Sequence, residues 1–343
     1  MARIIAVTNL KGGIGKTTTV VNLSAGLALK GARVLVVDVD AQGNLGMALG
    51  IRPRRTLYEV LVDGAKVADC ITNARPNLDI LAADETLLTA QPAIARRADW
   101  PRVLEQALRP IRANYDYIFI DCGGSLTVLN LNALNAAGDV IVPTTVEPFS
   151  VKGLEMLVKQ IIRVKGSQSS LRAIVPTMFD PRLRQSQSLL ESLQATYGDL
   201  VQEPIRTNVR LSESSSAGQT IYEYDPRSRG AQDYARLVER VSQMLQFQPT
   251  ARPAPAPAAA LPMPTAPTPP PSPPAATARP ALRPLQPPPA TTSPVVMGAG
   301  EMLSSACPQC GAPLQRATVA GYRVAYCDKC KYRRQELAGG ATR

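Results

Sequence analysis

A chain of 343 residues with 45% hydrophobic composition can bury one large core or two smaller ones. It contains no histidine, which removes the commonest general base and the commonest zinc ligand, so proton chemistry falls to carboxylates, Lys, Cys or water and any zinc site to cysteines. The net charge of +11 is uneven: residues 248–343 hold ten Lys/Arg against three Asp/Glu, leaving +4 for the rest, and a basic tail suits either solubility or attraction to a polyanion such as DNA.

The first 247 residues alternate apolar runs with amphipathic stretches. The runs are "RIIAVTN" (3–9), "ARVLVVDVD" (32–40), "LDILAAD" (78–84), "YDYIFIDC" (115–122), "DVIVPTT" (139–145) and "RAIVPTMF" (172–179). Most are continuous in apolar residues, as strands buried on both faces of a parallel sheet must be. Helices are expected between them, over Lys16 to Lys30, Trp100 to Ile111, Val151 to Val164 and Gln185 to Tyr197. The βαβα alternation predicts an α/β, doubly wound, mostly parallel sheet. No run approaches the roughly 20 apolar residues of a membrane span, and the N-terminus leads into a strand pattern, so a cytoplasmic location without membrane attachment is expected.

From residue 248 the texture changes. Eighteen of the 31 prolines fall in 248–300, with no aromatic or acidic residue, so this stretch cannot bury enough apolar surface to offset chain entropy. The expected organisation is an ATPase-like domain over 1–247, a disordered Pro/Ala-rich linker over 248–302 and a small cysteine-rich module over 303–343. In that module Cys307 and Cys310 are separated from Cys327 and Cys330 by sixteen residues, a CxxC-x16-CxxC spacing that supplies four thiolates for a tetrahedral zinc site and resembles a zinc ribbon. Cys70 and Cys122 are read as packing residues.

Near the N-terminus, "GGIGKTT" (Gly12, Gly13, Ile14, Gly15, Lys16, Thr17, Thr18) follows a strand and opens a helix, the setting a phosphate loop requires. Glycines let backbone N–H groups turn inward around phosphate oxygens, and the helix N-terminus adds its positive end. Lys16 would bridge the β- and γ-phosphates of ATP, and the Thr17 hydroxyl would ligate Mg²⁺. Two strand ends supply carboxylates beside such a loop: Asp121 for a Mg²⁺-bound water, and Asp38 and Asp40 of "VVDVDAQGN". Without histidine, Asp40 is the candidate that orients the attacking water, with Asp38 behind the metal's water shell; phosphoryl transfer asks for positioning and charge neutralisation more than for a strong base.

Together "KGGIGKTT", "VVDVDAQGN", "YDYIFIDCGGSLTVLNLNAL", "VEPFSVKGLEML", "TMFDPRLRQS" and "NVRLSESSSAGQTIYEYDPRSRGAQDY" resemble, in order and spacing, the ParA/MinD family of partition ATPases, in its short Soj-like branch, over about residues 2–245. The resemblance implies a Mg²⁺-dependent ATPase of the deviant Walker A P-loop type that forms an ATP-dependent homodimer, binds nonspecific double-stranded DNA on the nucleoid, and is returned to monomers by a ParB-like activator. It implies that Lys11 crosses the dimer interface to the partner's nucleotide, that Arg182 and Arg210 contact DNA phosphates, and that adenine lies near Met178, Ile205 and Arg206. Two departures stand out. Where the family has Asp-Cys-Pro-Pro, this chain has "DCGGS", which suggests a freer loop after Asp121; and "PIRTNVRLSE" replaces the usual Pro-Arg before "NVRLSE". Competing readings are a MinD-like positioning ATPase for a protein or membrane-associated cargo and an iron-sulfur carrier ATPase. The first needs a membrane helix or another cargo partner, and the second needs cysteines that are not already a complete set of four.

Overall fold

The structure is a computed structural model that describes residues 2–246 and, beyond them, 306–307, 310–319, 322–327, 329–330 and 333–337. These form two bodies, each taken by itself. The linker expected over 248–302 lies outside the described residues.

In the first body seven strands, β1 (Arg3–Val7), β2 (Val34–Asp38), β3 (Thr72–Arg75), β4 (Leu78–Leu81), β5 (Tyr117–Asp121), β6 (Asp139–Thr145) and β7 (Leu171–Thr177), form one sheet in the order β3-β4-β2-β5-β1-β6-β7. Every neighbouring pair runs parallel except β3 with β4. The continuous apolar runs have a two-sided use. Ile4, Ala6, Leu35, Val37, Ile118 and Ile120 pack into one core cluster, whereas Ile5, Val7, Val34, Val36, Phe119 and Ile141 pack into another on the opposite face, as the period of two along a strand requires.

The helices are α1 (Lys16–Leu29), α2 (Asn44–Ala48), α3 (Leu57–Leu61), α4 (Leu87–Ala95), α5 (Val103–Leu108), α6 (Val128–Ala136), α7 (Pro148–Lys165), α8 (Arg184–Tyr197), α9 (Val209–Ser216), α10 (Ile221–Tyr224) and α11 (Arg229–Met244). Leu23 and Leu27 of α1 meet Tyr234, Leu237 and Val241 of α11 in the second cluster; Leu104, Leu129, Leu154 and Leu157 fill the first. Gly26 is the close-approach point of α1 and α11, for a β-carbon there would overlap Val238 Cγ2. Side-chain caps set several helix starts: Thr127 accepts from Asn130 N at α6, Ser228 from Ala231 N at α11, and Thr56 with Glu59 makes a reciprocal capping box at α3.

The helix expected over Trp100 to Ile111 is shorter than the reading. Only Val103–Leu108 is α-helical, between 3₁₀ turns at Trp100–Arg102 and Arg109–Asn114. Pro101 and Pro110 each enter one of those turns, and a proline neither donates to the preceding turn nor tolerates its carbonyl. Strand β3 was not among the expected strands; its "TNAR" is polar, as befits a sheet edge.

In the second body β8 (Gln315–Val319), β9 (Tyr322–Tyr326) and β10 (Arg333–Leu337) form an antiparallel sheet in the order β10-β9-β8. Ahead of it Ala306 bridges Pro313, Cys307 N donates to Ala312 O at 2.7 Å, and Gly311, at φ 70°, donates back to Cys307 O at 2.9 Å. That tight turn folds the first CxxC pair into a knuckle.

Candidate nucleotide site and metal centre

The loop between β1 and α1 is shaped by glycines that leave room on the cavity side. Gly13 and Gly15 sit at φ 70° and 86°, in the left-handed region, and a β-carbon on Gly12 or Gly13 would meet nothing within 4 Å. The loop is braced from behind: Thr177 Oγ1, at the end of β7, donates to Ile14 O at 2.8 Å, and Asn9 Nδ2 donates to Pro143 O at 2.8 Å while its Oδ1 accepts from Lys11 N at 3.2 Å. Helix α1 begins at Lys16 with no side-chain cap, so its first N–H groups are available to an anion.

The loop opens on a cavity of about 860 Å³ lined by Gly12, Lys16, Thr17, Asp40, Gly123 and Asn130 together with Met47, Met178, Ser212, Ser215 and Ser216. Lys16 is 8% exposed, and its Nζ donates to Lys11 O at 2.8 Å. Burial lowers its pKa, against the field of Asp121. The Asp121 carboxylate, buried at the end of β5, bonds the Thr17 side chain, and among the described residues its Oδ1 has no hydrogen-bond partner. Burial pushes its pKa up. Asp38 ends β2 directly opposite Asp121 in the parallel register and is also fully buried; burial, then the Asp121 charge, raises its pKa well above the usual range, although Asp40 N and Leu45 N donate to it at 2.9 and 3.1 Å. Asp40 lies further out and accepts from Gln42 N at 3.1 Å.

Two buried carboxyls facing one another beside an orphaned oxygen are costly unless a cation sits with them. An unpartnered Asp121 oxygen beside a Thr hydroxyl is the oxygen donor set that Mg²⁺ takes, and the open glycine face is the cradle a polyphosphate fills, so the residues present fit Mg²⁺ and a nucleoside triphosphate.

The structure therefore gathers Gly12, Gly13, Gly15, Lys16, Thr17, Thr18 and Asp40 around one cavity, with Asp38 and Asp121 at the ends of the two strands behind it. Ile14, although within the loop, is buried. Lys11 is not among the residues lining the cavity; its Nζ donates to Glu147 Oε2 at 2.7 Å and Ser150 Oγ at 3.0 Å, at the N-terminus of α7. Met178, at φ 52°, lines the cavity. Ile205 and Arg206 do not: Ile205 is 2% exposed within the α1/α11 core cluster, and the Arg206 guanidinium is spent on Asp233, donating from Nε at 3.0 Å and from NH2 at 2.7 Å. Arg182 and Arg210 are on the surface, the first paired with Asp180 and the second with Glu213 and Asp225. Sequence reasoning missed Glu147, Ser150, Asn130 and the serines of α9. Nothing in their spacing marks them; they reach the site through the fold of β6, α6, α7 and α9.

In the second body the four sulfurs of Cys307, Cys310, Cys327 and Cys330 lie within 4.8 Å of one another, with no disulfide among them. Sγ of Cys307 is 3.4 Å from that of Cys330, and Sγ of Cys310 is 3.5 Å from that of Cys327. The hydrogen bond from the Cys330 backbone N–H has the largest effect on the Cys327 thiol, which is held down at about 7. Four converging sulfurs, one of them poised to ionise, fit a tetrahedral thiolate site for a metal such as zinc.

Comparison with known proteins agrees with this geometry. Residues 2–173 match the AAA_31 family, an AAA domain. The chain is 41% identical over 249 residues to the chromosome partitioning protein ParA of Caulobacter vibrioides, covering 70% of this chain and 93% of that one. The chain belongs to the ParA/MinD family of P-loop ATPases. The sporulation initiation inhibitor protein Soj of Bacillus subtilis is likewise 41% identical, over 254 residues, covering 71% of this chain and 99% of Soj. The ParA/MinD fold extends to the septum site-determining protein MinD of Pyrococcus horikoshii, solved with Mg-ADP, at a TM-score of 0.61 and 27% identity over 71% of this chain and 97% of MinD. The glycine cradle and the carboxylates at the ends of β2 and β5 fit the nucleotide and Mg²⁺ that a P-loop ATPase takes.

Proposed function

We propose that the protein is an ATP-driven dimerising switch that hydrolyses ATP to ADP and phosphate, binds nonspecific DNA and partitions a DNA cargo together with a ParB-like activator, in the cytoplasm on the nucleoid. The observation that carries the reading is the phosphate loop with two lysines. Lys16 lines the cavity, on a loop carbonyl it can exchange for phosphate oxygens, and the Lys11 ammonium lies outside that lining, 2.7 Å from Glu147. An ordinary nucleotide pocket uses only the inner one.

Thr17 and, through water, Asp121 would hold Mg²⁺, which supplies charge neutralisation at the phosphates when bound. Lys16 binds the β- and γ-phosphate oxygens and the backbone of Gly12 to Thr18 orients them. Asp40 aligns a water for attack; Asp38 keeps the β2 end in place through the N–H groups of Asp40 and Leu45. Lys11 exchanges Glu147 for the charge on the partner's nucleotide, which ties dimerisation to the occupied site. Met178 lines the base end of the cavity.

For DNA, Arg182 and Arg210 would exchange Asp180 and Glu213 for backbone phosphates, giving affinity without sequence readout. Supporting this are the surface positions of both and the names of the relatives. The domain limits 1–247, 248–302 and 303–343 belong to the same proposal, with one zinc held by Cys307, Cys310, Cys327 and Cys330 as a docking module for protein or DNA. The test is fluorescence anisotropy of a labelled random duplex: ATP should raise affinity, rising salt should abolish it, and Arg210→Glu should remove the ATP-dependent gain. DNA binding unaffected by ATP would refute the switch.

A further inference from the structure

Asn130, in the first turn of α6, is 4% exposed, and its whole side-chain amide is spent on one loop. Oδ1 accepts from Gly123 N at 3.0 Å; Nδ2 donates to Gly123 O at 2.9 Å and to Ser125 O. Its own N–H donates to the Thr127 cap at 3.1 Å, so the residue is fixed at both ends. This loop is the one whose Gly123-Gly124 pair suggests excess backbone freedom from sequence. The structure instead pins it from the α6 side.

What the loop touches gives that pin its meaning. A β-carbon on Gly123 would stand 3.3 Å from Asp40 Oδ2 and 3.4 Å from its Cγ. One on Gly124 would stand 3.3 Å from Gly12 N and 3.4 Å from Gly12 Cα. The backbone of Gly123 thus lies against the Asp40 carboxylate, and that of Gly124 against the peptide joining Lys11 to Gly12. The carbonyl of that same peptide receives the Lys16 ammonium. One short loop spaces Asp40 from the phosphate loop, and one buried amide holds the loop.

We infer that Asn130 is a positioning residue for ATP hydrolysis: through Gly123 and Gly124 it sets the separation between the Asp40 carboxylate and the phosphate loop. The inference rests on the proposed ATPase reading with Asp40 as the water-orienting group. Nucleotide affinity comes from the glycine cradle, Lys16 and Thr17; Asn130 lines the same cavity, but its amide is committed to Gly123 and Ser125 and leaves no group for the nucleotide, whereas water attack depends on the spacing it controls. Loss of the amide therefore lowers turnover and leaves binding in place.

The experiment uses the full chain. Steady-state hydrolysis of Mg-ATP, calorimetric binding of a nonhydrolysable ATP analogue and thermal unfolding are measured for wild type, Asn130→Ala, Asn130→Asp and Asp40→Ala. Asn130→Asp is isosteric, keeps the acceptor for Gly123 N–H and loses both donations, so it serves if the alanine variant does not fold. A displacement of about 1 Å at a reacting geometry costs about 100-fold in rate, so kcat should fall by about that factor in both Asn130 variants while analogue affinity changes by less than about threefold. Unchanged kcat in a folded Asn130 variant overturns the inference, and so does a parallel fall of kcat and analogue affinity, the mark of a structural role alone. A wild type that does not hydrolyse ATP, or an Asp40→Ala variant with wild-type turnover, overturns the ATPase reading and the inference with it. Loss of turnover in Asp40→Ala beside normal turnover in the Asn130 variants overturns only the inference.

Discussion

Arg206 has two possible jobs, and a single substitution separates them. The family resemblance puts it near adenine; the structure puts its guanidinium on Asp233, whose side chain is 1% exposed and also accepts from Arg206 N at 3.0 Å and from Arg236 NH2. Arg206→Ala removes the two guanidinium bonds and keeps the backbone one. Breaking a buried ion pair costs about 3 to 5 kcal/mol when the remaining charge has no other partner. Here Arg236 stays beside Asp233, which reduces the expected loss to about 2 to 3 kcal/mol, the value of roughly one to two charge-assisted hydrogen bonds. In a domain of this size about 1 kcal/mol moves the melting midpoint by about 2 to 4 °C, so the midpoint should fall by about 5 to 10 °C. The assay is thermal unfolding followed by circular dichroism, with calorimetric titration of an ATP analogue below the transition. The affinity of the folded variant should match wild type. A midpoint within about 1 °C of wild type together with lost nucleotide affinity would refute the structural role.

Lys11→Ala should leave ATP-analogue binding near wild type and remove ATP-dependent dimers in light scattering behind size exclusion; dimers that persist would detach Lys11 from the interface. Gly26→Ala forces a methyl into Val238 and to 2.9 Å from the Tyr222 hydroxyl, so the α1–α11 contact must open at a cost of about 1 to 3 kcal/mol, read as a lower urea midpoint at unchanged slope. The full chain should carry one zinc per molecule by elemental analysis, and Cys327→Ser should lose it; iron in that place, with visible absorption, would favour a cluster over a structural metal.

The parallel strands of the sheet were legible because they are covered on both faces, whereas the polar edge strand β3 was not. Burial on both sides makes them continuous apolar runs, and the carboxylates at the ends of β2 and β5 stand out as the first charges after such runs. The phosphate loop was legible because its glycines, lysine and threonine are contiguous. What was not legible depends on packing between distant segments. Asn130 meets Gly123 only because α6 turns back over the loop, Glu147 meets Lys11 across 136 positions, and Ile205 looks equally suited to a ligand or a core until its neighbours are known. The freedom expected of Gly123-Gly124 is a property of the isolated segment; the Asn130 amide removes it from outside.

The two core clusters that share the central strands limit which changes in chain length the domain can absorb. All five residues of β5 are buried, and the four ahead of Asp121 alternate between the two clusters. One inserted residue before Asp121 would exchange the occupants of both faces at once and turn that carboxylate away from Thr17, with no exposed surface to take up the error. The partly exposed segment from Ile51 to Arg55 and the turn at Glu85 and Thr86 carry no such double commitment. Insertional scanning should therefore find tolerance there and a sharp boundary at the strand ends, so that the reading frame of the sheet, more than the identity of any one core residue, is what variation in this chain must preserve.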